Sequence, residues 1–489
     1  MKEYLDPVIL FLEQWGWIPM LLIYIGVIIT ILIENRNPTK TISWVLVIVF
    51  LPFIGLILYY LFGQKFSKVK KMKRINHEQS LRLKKEFQRL EPLMLWSIRN
   101  IHSKIGDLSR VYAYLKNEKL STPTLNNEVT LLNNGEEKFP IFLDSLRSAK
   151  HSIHLEYYIF DLDQIGTQVL QILEAKAAEG IKVRLIVDSF GSPKLVRYFR
   201  KKTDSLIEFQ PFLPVNFTSL ANSNFRNHRK IAVIDGYIAF IGGINISDRY
   251  INPNSHNLYW RDTSVQIKGN AAAMFQISFW NSWNQTEGAP FQLDEGYIKE
   301  TAIVSEELSA VAIASSDPGS LGPFNMEALL ISIGEANESI RLCTPYYIPT
   351  DELATALKTA AAAGVNVELM VPLEGDNWIV QHASLSFLKP LLERGVQVYR
   401  YKKGFLHAKT AIIDGKIAYV GTVNLDFRSF YINYEVAAVI SNKQFCKAMD
   451  ERFELDKLDC ELVTLKEWKK RKAWKRGIDS LCRLLAPLL

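Results

Sequence analysis

The chain has 489 residues, 48% of them hydrophobic and 22% charged, with a formal net charge of +7. That length exceeds one small core and suits two or three globular units, and the composition excludes an intrinsically disordered protein. The positive charge is concentrated in residues 65–74 (Lys65, Lys68, Lys70, Lys71, Lys73 and Arg74, with no acid) and again in 466–489, which excludes a generally basic nucleic-acid binder and points to two local contacts with an anionic surface.

The first elements are two apolar runs, Trp17–Ile33 and residues 42–62, neither holding a charge. Each approaches the ~20 residues a helix needs to cross ~30 Å of hydrocarbon. Trp15, Trp17, Trp44, Tyr59 and Tyr60 stand near their ends, where amphipathic rings prefer to sit. A secretory signal fits poorly, because Glu3, Asp6 and Glu13 precede the first run where a cationic region belongs. The expectation is a two-helix transmembrane hairpin over 1–64. The basic cluster after the second run keeps its own side cytoplasmic, giving a multi-pass protein whose remaining mass faces the cytoplasm.

Residues 65–125 read as a basic and then charged, helical connector, without chemistry of its own. Beyond it the chain repeats itself. Asn227-His228-Arg229-Lys230 leads into an apolar strand ending Asp235-Gly236, then a second strand, Gly242 and Asn245. His407-Ala408-Lys409 leads into a similar strand ending Asp414-Gly415, then Gly421 and Asn424. His228/His407, Lys230/Lys409, Asp235/Asp414, Gly242/Gly421 and Asn245/Asn424 are each 179 positions apart. Each copy predicts strand, tight Asp-Gly turn, strand, with His and Lys on one strand face. Upstream, residues 152–159 and 339–348 predict a further strand in each copy, followed by a helix ending at Gly180 or Gly364 and a strand over 183–187 or 367–371. The pattern is α/β with mixed sheets, in two lobes spanning 126–300 and 301–462 that meet at a shared central cleft. Residues 463–489 form a basic amphipathic segment, which either lies on anionic lipid or docks on the protein.

Two histidines suit a two-step displacement, one attacking and the other acting as acid and then base. Two lysines and two asparagines supply positive charge and hydrogen-bond donors for a phosphodiester. No cluster of Asp and Glu with metal-binding character accompanies them, so neither metal nor cofactor is expected. Cys343, Cys446, Cys460 and Cys482 form no CxxC pair and read as reduced thiols. Asp235 and Asp414 each precede Gly in a turn, so a turn-forming role stands beside a catalytic one.

The repeated His-x-Lys-x4-Asp motif, each copy followed by Gly-x-x-Asn, resembles the double motif of the phospholipase D superfamily. The Trp260-Arg261-Asp262 and Asn424-Leu425-Asp426-Phe427-Arg428-Ser429 blocks, together with the N-terminal hairpin, resemble its bacterial-type cardiolipin synthases. The resemblance implies a covalent phosphatidyl intermediate on one of His228 and His407, with the other as general acid and base. It implies catalytic Lys230 and Lys409, phosphate binding by Asn245 and Asn424, and histidine-orienting roles for Asp262 and Glu435; Asp235 and Asp414 complete the motif and are counted with the catalytic residues, although in this superfamily the motif Asp tends to support the fold. Thr422 stands where the second motif often has Ser. The implied reaction joins two phosphatidylglycerols into cardiolipin and glycerol in the cell membrane, without nucleic acid, and in contact with anionic lipid. Self-association is compatible with this reading. The competing expectations are a membrane-bound phospholipase D using water as acceptor, and a catalytically inactive membrane scaffold.

Overall fold

The computed structural model describes residues 15, 17–33, 38–59, 99–118, 121–214, 224–253, 258–286 and 309–486. The basic cluster at 65–74 lies outside them. The chain divides into two compact units, Met1–Met72 with Phe217–Asn224, and Lys73–Asn216 with Phe225–Leu489.

In the first unit the expected hairpin is built from shorter pieces. The first apolar run is a 17-residue helix, Trp17–Ile33, about 25 Å long at 1.5 Å per residue. The second run is divided into helices Pro38–Phe50 and Pro52–Leu58. Pro52 brings no N–H to continue the first of these and sits at the start of the next, so the ladder ends at Leu51. Among the described residues no helix is long and apolar enough to cross a membrane. Ile31, Ile48 and Tyr59 bury themselves against one another, while Leu22, Ile33, Phe50 and Phe53 remain exposed.

The second unit holds both lobes. In the first, the strands are β1 (Asn127–Asn133), β2 (Ser152–Tyr157), β3 (Lys182–Asp188), β4 (Glu208–Phe212), β5 (Lys230–Ile234), β6 (Ile238–Gly242), β7 (Tyr259–Arg261) and β8 (Thr263–Gly269). In the second they are β9 (Ala310–Ser316), β10 (Ser339–Cys343), β11 (Tyr347–Ile348), β12 (Asn366–Pro372), β13 (Gln397–Tyr401), β14 (Gly404–Leu406), β15 (Thr410–Ile413), β16 (Ile417–Gly421), β17 (Leu425–Asp426), β18 (Glu435–Ser441) and β19 (Cys460–Val463). The first sheet runs β1-β8-β6-β5-β2-β3-β4; the second runs β9-β18-β16-β15-β10-β12-β13, with β19 added at its edge. In both, one strand of the Asp-Gly hairpin pairs antiparallel to a central strand that is itself parallel to the next. The duplication is therefore one of topology, and the mixed sheets are those expected.

Local chemistry explains the common plan. Asp235 and Asp414 both have φ 52°, and Gly236 and Gly415 follow at 65° and 60°. Successive positive φ values twist the turn to match its flanking strands. The helices Gln164–Ala178 and Asp351–Ala362 are each followed by a left-handed glycine, Gly180 and Gly364, where a side chain would be strained.

The boundary expected at 300 lies outside the described residues. The two sheets nevertheless share one core: Ile231, Ile241 and Val265 of the first and Ile412, Val420 and Val436 of the second pack around Phe275 and Trp280 of the buried helix Ala272–Trp283. The described end of the connector joins the second lobe, where Val111, Tyr112 and Leu115 are fully buried.

Candidate active site

The expected placement of His and Lys together within a strand needs one correction. β5 begins at Lys230 and β15 at Thr410, so both histidines lie just ahead of their sheets. There the chain pairs across to the other lobe. The backbone N–H of His228 donates to Tyr434 O at 3.0 Å, and that of His407 donates to Arg261 O at 2.7 Å. Strand β14, ending one residue before His407, runs parallel to β7, ending one residue before Asp262. Asn227 and Tyr434 make the matching bridge before His228 and Glu435. Each histidine is thus delivered beside the acid of the opposite lobe.

The side chains complete this crossing. His407 Nδ1 lies 2.6 Å from Asp262 Oδ2. His228 Nδ1 lies 3.0 and 3.2 Å from the two Glu435 oxygens and 3.2 Å from Thr422 O. Carboxylate and carbonyl oxygens only accept here, so Nδ1 carries the hydrogen in both rings, leaving the Nε2 lone pairs for chemistry.

Each acid is itself held. Asp262 Oδ1 accepts from Thr263 N at 2.7 Å. A Cβ on Gly243 would come 2.1 Å from the same Oδ1, so the glycine makes room for this carboxylate. In the second lobe that place belongs to Thr422, whose hydroxyl donates to Glu435, and Ser429 Oγ donates to Glu435 at 3.2 Å.

Burial dominates the electrostatics. It holds both imidazoles below their ordinary range, His407 down to about 3, against the upward pull of Asp262 and Glu435. It lowers Lys230 to about 7 and Lys409 to about 8 against the same carboxylates. Burial would raise the acids, but His407 and Lys409 hold Asp262 low, and His228 and Lys230 do so for Glu435. Each lysine also depresses the histidine of the other lobe, which puts all four groups in one field. The ammonium groups are tethered rather than paired with an acid: Lys230 donates to His228 O at 2.7 Å, and Lys409 donates to His407 O.

The asparagines differ. Asn245 Oδ1 accepts from Ile159 N at 3.1 Å, and its Nδ2 donates to Tyr250 Oη at 2.8 Å. Asn424 Oδ1 is buried with no hydrogen-bond partner among the described residues.

Asp235 and Asp414 do not join the histidines. They stand past the far ends of β5 and β15, for Asp235 about 16 Å of strand from Lys230 at ~3.3 Å per residue. Asp235 accepts from the N–H groups of Lys150, His151 and Ser152, and Asp414 from those of Asn337, Glu338 and Ser339. They tie the hairpin turn to the start of the neighbouring strand. Asp414→Ala, by orphaning its part-buried donors, should lower stability by about 2 kcal/mol, and Asp235→Ala, whose donors are more open to water, by about 1 kcal/mol. Thermal unfolding should show a drop of several degrees, with turnover per folded molecule within a few-fold of wild type.

Apart from Trp260, which stands in the Trp260-Arg261-Asp262 block, sequence reasoning missed the walls of the cleft. Tyr158 packs edge-on to His228 with ring centroids 5.0 Å apart. Tyr250, Trp260 and Phe405 surround His407 at 5.9, 5.4 and 5.7 Å. Lys138, fully buried, donates to Ile244 O at 2.7 Å, and burial lowers it to about 7. Only their neighbours in three dimensions distinguish these residues from ordinary core positions. Among the described residues no group of three or more His, Cys, Asp or Glu is placed to hold a metal ion.

The family described as cardiolipin synthase, phospholipase D-like domain, matches residues 142–283 and 329–457. The phospholipase D-nuclease N-terminal family matches residues 22–64. A cardiolipin synthase of Alkalihalophilus pseudofirmus is 35% identical over 488 residues, covering 98% of this chain and 95% of the relative. Cardiolipin synthase 2 of Bacillus anthracis is 36% identical over 463 residues, covering 94% and 88%. The crystal structure of phosphatidylserine synthase from Haemophilus influenzae Rd KW20 superposes with a TM-score of 0.60 at 15% identity, covering 78% of this chain and all of that one, a likeness of fold.

Proposed function

Because the chain belongs to the cardiolipin synthases, phosphatidyltransferases built on the phospholipase D-like domain, we propose that it joins two phosphatidylglycerols into cardiolipin and glycerol through a covalent phosphatidyl-histidine. The observation that carries the mechanism is the crossed pairing of His407 with Asp262 and His228 with Glu435.

Nε2 of one histidine attacks phosphorus, and the bond from phosphorus to the headgroup glycerol oxygen breaks. The second histidine gives that oxygen its proton, and glycerol leaves. The now neutral second histidine takes the proton from a hydroxyl of another phosphatidylglycerol. That oxygen attacks phosphorus, the P–N bond breaks, and cardiolipin forms. The bound phosphodiester anion offsets the burial penalty on an imidazolium, so that one histidine can enter protonated. Lys230, Lys409, Asn245 and Asn424 hold the non-bridging oxygens as charge builds on them.

The lysines give the reaction a pH dependence. Burial lowers Lys230 and Lys409 to about 7 and 8, so their charge is present below that range and lost as pH rises through it. kcat/KM, which reports the free enzyme, should begin to fall near pH 7 and fall more steeply above about pH 8. kcat should fall less, because bound phosphate keeps both ammonium groups protonated. A pH profile of initial rates checks this.

The N-terminal unit, with its match to the N-terminal family and its exposed Leu22, Phe50 and Phe53, supports residence in the cell membrane. A two-span hairpin placing the lobes on the cytoplasmic side, against anionic lipid, is part of the same reading, and self-association within the bilayer is compatible with it. The test is an assay of the purified chain in micelles with phosphatidylglycerol as sole substrate and a chelator present. Cardiolipin with free glycerol supports the synthase; phosphatidic acid alone makes water the acceptor; no product from folded protein favours a scaffold.

A further inference from the structure

Away from the histidines, the second lobe carries a surface cavity of about 580 Å³ between helix Trp378–Ser386 and the basic C-terminal segment. That segment docks on the protein: Cys482 and Ile478 of helix Ala473–Arg483 pack against Ala383 and Val380. Docking leaves much of its chemistry facing outward. Arg400, Lys470, Arg471, Lys472 and Lys475 line the cavity. Asp479 is occupied by His382 at 2.7 Å and Arg471 at 2.8 Å, and Glu461 by Arg400 at 3.2 Å. Lys470, Lys472 and Lys475 have no acid partner among the described residues. Arg400 Nε is buried there with no hydrogen-bond partner among the described residues.

The rim is apolar. Trp378 and Trp474 line the cavity and are each 59% exposed, and Leu481 and Leu484 beyond them are 66% and 75% exposed. A cationic pocket lined by two exposed tryptophans, with two further exposed leucines at the end of the helix that carries Trp474, matches an anionic headgroup whose acyl chains continue into a bilayer. A free phosphate would use the cations and leave the rim without a purpose. A chain of contacts links the helix that opens the pocket to the cleft. Two residues before Trp378, Asp376 accepts from Tyr346 Oη at 2.8 Å. The Tyr346 ring lies 6.5 Å from Phe405, and Phe405 lies 5.7 Å from His407.

We propose that this pocket binds the phosphate of an anionic membrane phospholipid as a site separate from the histidine cleft, seating the His407 side of the cleft on the bilayer. The inference rests on the membrane-lipid part of the reading above and not on its chemistry. The test uses the full-length His228→Ala chain, in which lipid is not turned over, in neutral-detergent micelles. Tryptophan quenching is followed with brominated phosphatidylglycerol or brominated phosphatidylcholine. The difference between this chain and one also carrying Trp378→Phe and Trp474→Phe isolates the two rim tryptophans. Phosphatidylglycerol should quench them at about tenfold lower mole fraction than phosphatidylcholine, given the affinity each basic residue adds near an anionic surface. Lys470→Ala, Lys472→Ala and Lys475→Ala together should remove that preference without shifting the thermal midpoint. Equal quenching by the two lipids, or a preference that survives the triple change, would overturn the proposal. Loss of the preference in millimolar inorganic phosphate would assign the pocket to free phosphate instead.

Discussion

His228→Ala or His407→Ala should lower lipid transfer by ~10⁴-fold or more while leaving the chain folded. Both rings are nearly buried, 13% and 10% exposed, yet each has one nitrogen committed to a carboxylate and the other free for phosphorus or oxygen. Removing the attacking ring abolishes the covalent step. Removing its partner leaves glycerol without a proton as it departs and the acceptor hydroxyl without a base. The two histidines act as a unit, so the double variant should be scarcely slower than either single one. Cardiolipin formation by purified variants measures the loss. Activity above about a hundredth of wild type in both would sink the two-histidine mechanism.

The second large effect belongs to the acids. Asp262→Asn and Glu435→Gln keep shape and volume, but an amide can turn its NH₂ toward Nδ1 and draw the proton to Nε2, the wrong tautomer for attack or proton transfer. A loss of about 10³-fold in kcat is expected, in the range that such a change produces in other histidine–carboxylate pairs. Asp262→Asn added to His407→Ala should cost nothing further, because its effect travels through that ring. Glu435→Gln should bear the same relation to His228→Ala. A large additional loss would mean that the acid contacts substrate directly.

The two His/Lys pairs that the structure brings to one cleft stood out in the sequence because duplication repeats His, Lys, turn Asp, Gly and Asn at one spacing, and few core positions reproduce such a set. The Asp-Gly turns and the glycines after the helices were legible for a local reason, since backbone with positive φ selects few residue types. The crossing of His407 to Asp262 and His228 to Glu435 was not, because it depends on β14 leaving its own sheet to pair with β7 in the other lobe. Tyr158, Tyr250 and Phe405 were equally hidden, as aromatic residues that line a cleft look the same in sequence as those that fill a core. The division of the second apolar run at Pro52 shows the opposite failure: hydropathy read continuity where a single missing N–H imposed a break.

The exchange of acids between lobes bears on how such a gene could arise and what it can afterwards lose. A polypeptide consisting of one half would hold a base without its own acid and an acid without its own base. It could work only as a twofold pair of identical copies, each completing the other. Once two halves are joined in one reading frame, that mutual dependence becomes internal, and neither half can drift into a passive partner while the other carries the reaction. Sequence can diverge where the halves do different jobs, as at Gly243 and Thr422, but under the proposed mechanism silencing one half silences both.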